Sequence, residues 1–344
     1  MPLMTFQKAA SSATWSTATE TGAARPAELL QLTTTVPREY VHRASLAEVF
    51  LTGARKVDGN NFALTGQWPR AHTFFTSPDG RRHDPLQAAE TIRQVGLFLA
   101  HAEFDVPLGN HFVMWDMDLT VYHDQLAIGG APSDLDLHAE CTSMNWKGKR
   151  LADFTMRVTV RRDGKVAAAG GGKFSCISEA SYRRIRGRKI LGATALAPVA
   201  ERPRLVAPSL VGRLSPFDVV LAATDVPGRW LVSPDPAHPI LFDHGGDHLP
   251  GMVLQEAARQ AACAVSEPDF FALSSSSTTF HRYAELDSPC WIDAELLPTR
   301  RPGELRVQVA FHQDGEQVAT AVLTGLDPQS SAHLNPAVAQ VRAV

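Results

Sequence analysis

Two stretches of the chain are apolar on most sides for several helical turns, and strand-like segments follow each of them. The first stretch covers about residues 84–102 and the second about residues 250–266. An apolar surface this wide predicts a helix that other elements cover on most sides. The segments that follow, such as DLDLHAECTSMNW (134–146) and GELRVQVAFHQDG (303–315), predict antiparallel strands. The pattern therefore favours an α+β plan in which a sheet covers a single helix, built twice.

The chain repeats itself in three blocks that come in the same order. VHRASLAEVFLT begins at Val41 and VGRLSPFDVVLA begins at Val211, and AAETIRQ (88–94) aligns with LQEAARQ (254–260). VTVRRDGKVA (158–167) parallels VAFHQDGEQVA (309–319), and both turn at Asp-Gly, a pair typical of β-hairpins. Blocks matched in one order predict a duplicated domain.

The composition between the repeats predicts the domain boundaries. Residues 1–30 are rich in Ala, Thr and Ser and lack an apolar core, which predicts a flexible tail and not a signal peptide. We expect a first repeat at 31–180, a linker at 181–208, a second repeat at 209–330 and a C-terminal tail at 331–344. The linker carries a basic cluster that could dock an acidic partner, although a solvated linker is the favoured interpretation. The cluster consists of Arg183, Arg184, Arg186, Arg188 and Lys189.

Composition narrows the class of protein. The 344 residues are 44% hydrophobic and 20% charged with a net charge of −3, so nothing indicates nucleic-acid or membrane binding. The four cysteines are widely spaced, which predicts no metal site and no disulfide framework and favours the cytoplasm. No HExxH or GxSxG motif is present, and AAAGGGKFS (167–175) predicts a glycine-rich turn after a strand, not a phosphate loop.

A polar trio interrupts the second apolar helix. Glu256 has Arg259 and Gln260 as its i+3 and i+4 neighbours, so the three side chains share one stripe of the helix. Glu90, Arg93 and Gln94 repeat the trio in the first helix. The trio is either a catalytic group or an inherited buried ion pair.

The start of the second helix favours the catalytic interpretation. HLPG (248–251) places Pro250 and Gly251 where unpaired backbone N–H groups can hold a carbonyl oxygen or an anion. A carboxylate one or two turns further can act as a general base or acid on a bound acyl group while the Gly251 N–H polarises its carbonyl. Arg259 can orient Glu256 or bind a phosphate.

The same segment resembles known acyl-thioester enzymes. PGMVLQEA (250–257) is similar to the PGxLxxEA segment of hot-dog-fold acyl-carrier-protein dehydratases, in which a curled antiparallel sheet wraps around a central helix. In that family the Glu and a His upstream of Pro-Gly perform the dehydration. Glu256 falls in the register of that Glu, whereas neither His244 nor His248 sits at the usual spacing of the His. This departure argues against simple dehydration.

A resemblance over roughly residues 30–330 is more specific. Long segments resemble the AfsA-type γ-butyrolactone synthases, which are tandem hot-dog proteins from actinobacteria. These segments are VPREYVHRASLAEVFLT (36–52), FALTGQWPRAHTFF (62–75), DPLQAAETIRQVGLFLAH (84–101), VPLGNHFVMWDMDL (106–119) and FDHGGDHLPGMVLQEAARQAA (242–262). The resemblance implies a double hot-dog fold with two repeats, each a curled antiparallel sheet around a central helix.

It also implies a reaction. A β-ketoacyl group passes from acyl-carrier protein to the hydroxyl of dihydroxyacetone phosphate, and the phosphorylated ester is a precursor of a butyrolactone or furan signal. No cofactor or metal is implied, and the chain is expected to be a monomer or a homodimer that binds neither nucleic acid nor membrane. The alternatives are a hot-dog dehydratase or thioesterase, or a non-catalytic protein that binds acyl chains or lactones and regulates a partner.

The implied reaction suggests roles for particular side chains. We expect Glu256 to be the base, with His244 or His248 as an alternative or helper, and Gly251 to stabilise the oxyanion. Arg259 is the first choice for the phosphate. Further substrate-binding candidates are Arg70, His72, Arg282 and Gln260.

The first copy offers a second, degenerate site. Glu90, Arg93 and His83 would build it, but Asp84 and Pro85 replace Pro-Gly and remove the glycine that permits close backbone approach. We therefore expect this copy to be mainly structural. Cys263 is expected to be a small buried residue and not a nucleophile.

Overall fold

The computed structural model describes residues 33–187, 189, 203–266, 271–299 and 301–326. The tails predicted at 1–30 and 331–344, and half of the linker predicted at 181–208, lie outside these residues, so the boundaries remain predictions.

The first repeat supplies six strands and one long helix. They are β1 (Leu51–Asp58), β2 (Asn61–Trp68), α1 (Pro85–Ala102), β3 (His111–Val121), β4 (Ser133–Lys147), β5 (Arg150–Arg162) and β6 (Lys165–Ile177). A short helix, α2 (Glu179–Arg186), follows β6 and extends into the predicted linker. Its N-terminus is capped by the Ser178 side chain, which accepts a hydrogen bond from the Ser181 amide.

The second repeat supplies the same elements in the same order. They are β7 (Leu221–Ala223), β8 (Arg229–Val232), α3 (Gly251–Ser266), β9 (Ala272–Phe280), β10 (Trp291–Leu297), β11 (Glu304–Gln313) and β12 (Glu316–Leu326). The two long helices lie where the apolar pattern predicted them.

All twelve strands form one antiparallel sheet. Its order is β1-β2-β4-β5-β6-β3-β9-β12-β11-β10-β8-β7, so the second half mirrors the first. The halves join where β3 pairs with β9, with Leu119 opposite Ser276. Helix α1 packs on the first half and α3 on the second, and their apolar side chains belong to one continuous core. The duplicated α+β plan is confirmed.

Local sequence explains the two matched hairpins. β5 and β6 turn at Asp163-Gly164, and β11 and β12 turn at Asp314-Gly315, all four residues having positive φ between 51° and 78°. Two positive φ values in a two-residue loop define a type I′ turn, which Asp-Gly favours.

The glycine-rich segment is not the turn that the sequence predicted. Gly170, Gly171 and Gly172 lie inside β6, where a Cβ atom would come within 2.0–2.3 Å of a carbonyl oxygen on a neighbouring strand. The glycines are needed because the backbones of adjacent strands approach too closely there for any side chain.

None of the helices in the described ranges is both long and apolar enough to cross a membrane.

Candidate active site

The polar trio of α3 forms a closed network inside the protein. Glu256 is fully buried, and its carboxylate accepts hydrogen bonds of 2.6–2.9 Å from Arg213, Arg259 and Gln260. Burial would raise the pKa of Glu256, but the charges of the two arginines outweigh it and hold that pKa at about 2. A carboxylate that is ionised, fully bonded and buried is a structural ion pair. The base role predicted for Glu256 finds no support in this geometry.

The first repeat contains the same network. Glu90 is fully buried and accepts hydrogen bonds of 2.8–3.0 Å from Arg43, Arg93 and Gln94. Its pKa is also held at about 2, because the charges of Arg43 and Arg93 outweigh the effect of burial. The trio is thus duplicated in three dimensions as well as in sequence.

One arginine of each network forms a hydrogen bond with the other repeat. Arg43 of the first repeat donates to the carbonyl of Ile240 in the second over 3.2 Å. Arg213 of the second repeat donates to the carbonyl of Phe74 over 2.7 Å and lies 3.2 Å from the Asp84 carboxylate. Each network therefore ties the loop before one helix to the other repeat.

Gln260 and Arg259 are occupied within this network. Gln260 donates to the carbonyl of Asp218 and accepts from the Val220 amide, so it has a structural role and not the predicted substrate-binding one. Arg259 donates to Glu256 and to the carbonyl of Val211, and it lines a pocket beside the start of α1 rather than the start of its own helix.

The loop before α3 holds a histidine–aspartate pair. His248 Nδ1 lies 2.7 Å from Asp247 Oδ1, and the His248 side chain is 32% exposed. Burial acts against the charged form of Asp247, but its hydrogen bonds with His248, Arg186 and Tyr182 hold the pKa of this carboxyl well below its usual range. An ionised carboxylate only accepts, so Nδ1 carries a proton, and in the neutral imidazole Nε2 has the lone pair. This is the arrangement of a general base oriented by a carboxylate.

Helix α2 holds Asp247 through two side chains. The Tyr182 hydroxyl donates to Asp247 Oδ1 over 2.6 Å, and Arg186 Nε donates to Oδ2 over 2.8 Å. Arg186 also binds both oxygens of Glu285 over 2.7–2.8 Å and lies 4.2 Å from the ring centre of Tyr283. Buried Arg186 is therefore a structural residue, although its basic cluster suggested a solvated linker.

The first two residues of α3 present backbone N–H groups without an acceptor in the described part of the chain. The carbonyl of Pro250 accepts from the amides of Val253 and Leu254, whereas the N–H groups of Gly251 and Met252 have no acceptor among the described residues. Gly251 is exposed. Two bare N–H groups at a helix start can stabilise a developing oxyanion.

The first repeat places a cationic side chain near the loop that precedes α3. Burial and then the charge of Arg93 lower the pKa of both His42 and His244, so Arg93 lies near the loop that carries His244. His42 has a pKa of about 3 and is 2.9 Å from His101, whose other ring nitrogen donates to the Val106 carbonyl. Arg93 Nη1 has no acceptor among the described residues, so it can bind an anion.

His244 belongs to a loop that is fastened to the first repeat. Its Nδ1 lies 3.4 Å from Asp243 Oδ2, and more than half of its side chain is exposed. Asp243 accepts hydrogen bonds from the amides of Ala44 and Ser45 over 2.6 and 3.1 Å. His244 therefore also lies beside a buried carboxylate, since the Asp243 side chain is 1% exposed, but this contact is longer than the 2.7 Å contact of His248 with Asp247.

The other predicted residues lie in structural or surface positions. His72 accepts from the amides of Phe74 and Phe75, and Arg70 donates to the carbonyl of Gly129. Arg282 pairs with Glu316 on the surface over 2.9 Å. None of these three side chains has a contact that supports the predicted substrate-binding role.

His83 of the first repeat is enclosed. Its ring nitrogens lie 3.0 Å from Gln87 and 3.0 Å from Ser133, and burial followed by the charge of Arg162 lowers its pKa to about 4. Cys263 is buried, and burial raises the pKa of its thiol. Within the described ranges, no group of three His, Cys, Asp or Glu side chains could hold a metal ion.

Several residues of this site were not among the predicted ones. Arg43 and Arg213 stood in the first repeated block, where their matched positions were a usable signal. Asp247, Tyr182 and Arg186 carried no such signal, because their contacts join segments more than 60 residues apart in the chain.

The sequence has well-defined relatives. The A-factor biosynthesis hotdog domain matches residues 24–178 and again residues 194–326. A 2-oxo-3-(phosphooxy)propyl 3-oxoalkanoate synthase of Streptomyces virginiae is 49% identical over 292 residues, which are 85% of this chain and 98% of the relative. A synthase of the same name from Streptomyces coelicolor is 38% identical over 84% of this chain and 91% of its own length.

Solved structures are more distant. The 12:0-ACP thioesterase from Umbellularia californica is 13% identical with a TM-score of 0.45, covering 78% of this chain and 98% of its own. An acyl-ACP thioesterase from Bacteroides thetaiotaomicron is 10% identical with a TM-score of 0.43, covering 76% and 96%.

Proposed function

Because the chain belongs to the AfsA family of A-factor biosynthesis hotdog proteins, we propose that it transfers a β-ketoacyl group from a thioester to the hydroxyl of dihydroxyacetone phosphate. The product is a 2-oxo-3-(phosphooxy)propyl 3-oxoalkanoate, the compound class in the name of the relatives that are 49% and 38% identical. We propose acyl-carrier protein as the thioester donor. The observation that carries the assignment is the His248–Asp247 pair beside the N–H groups of Gly251 and Met252, which have no acceptor among the described residues.

His248 is the proposed base. Its Nε2 takes the proton of the substrate hydroxyl as that oxygen attacks the thioester carbonyl, while Asp247 stabilises the imidazolium that forms. The N–H groups of Gly251 and Met252 donate to the oxyanion. When the C–S bond breaks, the imidazolium returns the proton to the leaving thiolate, so the enzyme ends the cycle unchanged.

Arg93 is the proposed partner of the substrate phosphate, in place of the predicted Arg259. Its Nη1 has no acceptor among the described residues, and its charge acts on the loop that precedes α3. Arg259 instead faces the start of α1. The acyl acceptor would thus be held by the first repeat while the second repeat performs the proton transfer.

Glu256 and Glu90 are proposed to position Arg259 and Arg93, respectively, and not to exchange protons. A carboxylate saturated by two arginines and a glutamine fixes the direction of each guanidinium. Arg93 is oriented by Glu90 in this way, and its remaining N–H groups stay directed away from that carboxylate.

Incubation with a β-ketoacyl thioester, with and without dihydroxyacetone phosphate, tests the proposal. We expect a phosphorylated ester, identified by mass spectrometry, only when both substrates are present. Thioester loss that ignores dihydroxyacetone phosphate would instead identify a thioesterase. No consumption of the thioester under either condition would favour a binding protein.

A further inference from the structure

The start of α1 is the structural counterpart of the start of α3. The His83 amide donates to the Leu126 carbonyl over 2.9 Å, and the Leu249 amide donates to the Ala284 carbonyl over 2.8 Å. The preceding residues form matching isolated bridges, Arg82 with Ala127 and His248 with Glu285. Arg82 therefore occupies in the first repeat the position that His248 occupies in the second.

A second difference between the repeats creates space beside the start of α1. Gly212 and His42 both end a short 3₁₀ helix in the left-handed conformation, with φ of 64° and 51°. The first-repeat pocket, defined here by Arg82, His123, Gly212 and Arg259, thus has a glycine where the other site has a histidine ring. The missing side chain leaves space between the repeats.

Three donors of this pocket have no strong acceptor. The half-buried Arg82 guanidinium has no hydrogen bond or ion pair among the described residues. Arg259, which is 4% exposed, directs Nη1 only at Cys263 Sγ, 3.5 Å away. His123 Nε2 is buried without a hydrogen-bond partner in the described part of the chain. Buried donors without acceptors are uncommon in proteins and indicate a missing acceptor.

The acidic side chain of the pocket is already neutralised. Asp84 accepts from the Leu86 amide over 2.9 Å and lies 3.2 Å from Arg213. The pocket is therefore cationic, because the charges of Arg82, Arg213 and Arg259 exceed those of Asp84 and Glu256 by one. We propose that the first-repeat pocket is a second ligand site, which binds the phosphate group of a small phosphorylated molecule or inorganic phosphate.

The surroundings of His123 supply a direct reporter. Burial and then the charge of Arg82 lower the pKa of His123, against the opposing effects of the nearby backbone of Ala272 and Leu273 and of the charge of Asp124. A bound phosphate dianion adds negative charge beside the ring and raises the pKa of His123. The inference does not rest on the proposed transfer reaction, since binding is measured without turnover.

Phosphate titration of the full chain, followed by the imidazole NMR signals of His123, tests the proposal. We expect saturable shifts in the wild-type chain up to about 10 mM inorganic phosphate, and the same shifts in His248→Asn, which lacks the proposed base. Dihydroxyacetone phosphate and glycerol phosphate, titrated in parallel, distinguish an organic phosphate ligand from free phosphate.

Arg82→Gln should weaken this binding more than about tenfold, because one charged bidentate donor is lost. Arg82→Lys keeps the charge and should retain part of the affinity. Arg81→Gln, at an exposed position next in sequence, is the matched control and should bind like wild type. The proposal is overturned if phosphate leaves His123 unmoved, or if folded Arg82→Gln binds phosphate as wild type does.

Discussion

Single side chains divide the site into groups that hold and groups that react. Glu256 and Asp247 are both ionised carboxylates paired with arginine, but they differ in what else they contact. Glu256 contacts only other fixed groups, whereas Asp247 contacts His248, a third of whose side chain is exposed. The partners of a carboxylate, more than its burial, therefore show whether it stabilises the fold or orients a reacting group.

Replacing Asp247 tests this distinction. Asp247→Asn offers His248 Nδ1 an amide in place of a carboxylate, so the imidazole loses both its fixed tautomer and its charge stabilisation. We expect kcat to fall roughly 10²- to 10⁴-fold in the transfer assay while the fold is retained. Asp136→Asn, on the exposed face of β4, is the matched control. Wild-type kcat in Asp247→Asn would exclude His248 as the base.

The sequence revealed the charged residues of this region but not which of them meet. The repeated trio led to Glu256 and Arg259, and the repeated VHR and VGR blocks contained Arg43 and Arg213. Helical spacing predicts neighbours only along one helix, and it therefore paired Arg259 with the start of α3. In the fold the repeats contact each other, so Arg93 lies near the His244 loop before α3, and Arg259 lies beside the start of α1.

At the scale of the element, the start of α3 gives a sharper test of the oxyanion site. Gly251→Pro removes one N–H at a position where helices tolerate proline, whereas Gly251→Ala keeps it. An added Cβ would lie 3.6 Å from Phe280, an ordinary contact, so the alanine variant should behave like wild type. We expect Gly251→Pro to lower kcat roughly 10²- to 10³-fold.

Circular dichroism and thermal unfolding of both variants provide the control for that test. If Gly251→Pro is folded and as active as wild type, the Gly251 N–H takes no part in the reaction, and the oxyanion must be held elsewhere.

The glycines of β6 yield a prediction about packing. A Cβ on Gly171 would lie 2.0 Å from the carbonyl oxygen of Met156, so the strands must separate to accept any side chain. Gly171→Ala should therefore destabilise the protein by more than about 2 kcal/mol in urea unfolding. Gly130→Ala is the control, since nothing lies within 4 Å of its added Cβ. Equal stability of the two variants would contradict the close strand contact.

Sequence patterns predicted some elements better than others. The Asp-Gly hairpins were predictable because a type I′ turn depends on two adjacent residues. The Gly170–Gly172 segment was wrongly predicted as a turn. The glycines are required because β3 and β5 approach β6 closely, and the local sequence does not show which strands are neighbours. The same holds for α2, whose contacts with Asp247 and Glu285 are distant in sequence.

At the scale of the whole molecule, duplication produced one body rather than two independent domains. The sheet runs unbroken through the β3–β9 pairing, and Arg43 and Arg213 each bond across the repeats. The sequence predicted two copies of one plan, but the continuity of the sheet depends on edge strands meeting, which no repeat pattern specifies. The two repeats differ where their long helices begin, since Arg82 of the first occupies the position of His248 in the second.

The two buried networks make the stability of the molecule depend on pH in acid. Glu90 and Glu256 have pKa values of about 2 in the folded protein against an ordinary value of 4.5. A lowered folded pKa means that the unfolded chain binds more protons between these values, so the contribution is complete above pH 4.5 and is lost as the pH falls toward 2. By this linkage each carboxylate contributes about 3 kcal/mol at neutral pH.

Urea unfolding at a series of acid pH values measures this contribution. Glu256→Gln removes the negative charge that pairs with Arg213 and Arg259, so the variant should be less stable at neutral pH. Glu90→Gln removes the charge that pairs with Arg43 and Arg93 and should have the same effect. The diagnostic quantity is the slope of the unfolding free energy against pH below 4.5, which each substitution should reduce by the linkage of about one proton. Glu140→Gln, on the exposed face of β4, removes a carboxylate without a buried partner and should leave most of the slope intact. If all three variants keep the wild-type slope, the buried carboxylates do not govern the acid stability, and their ionisation in the fold must be reconsidered.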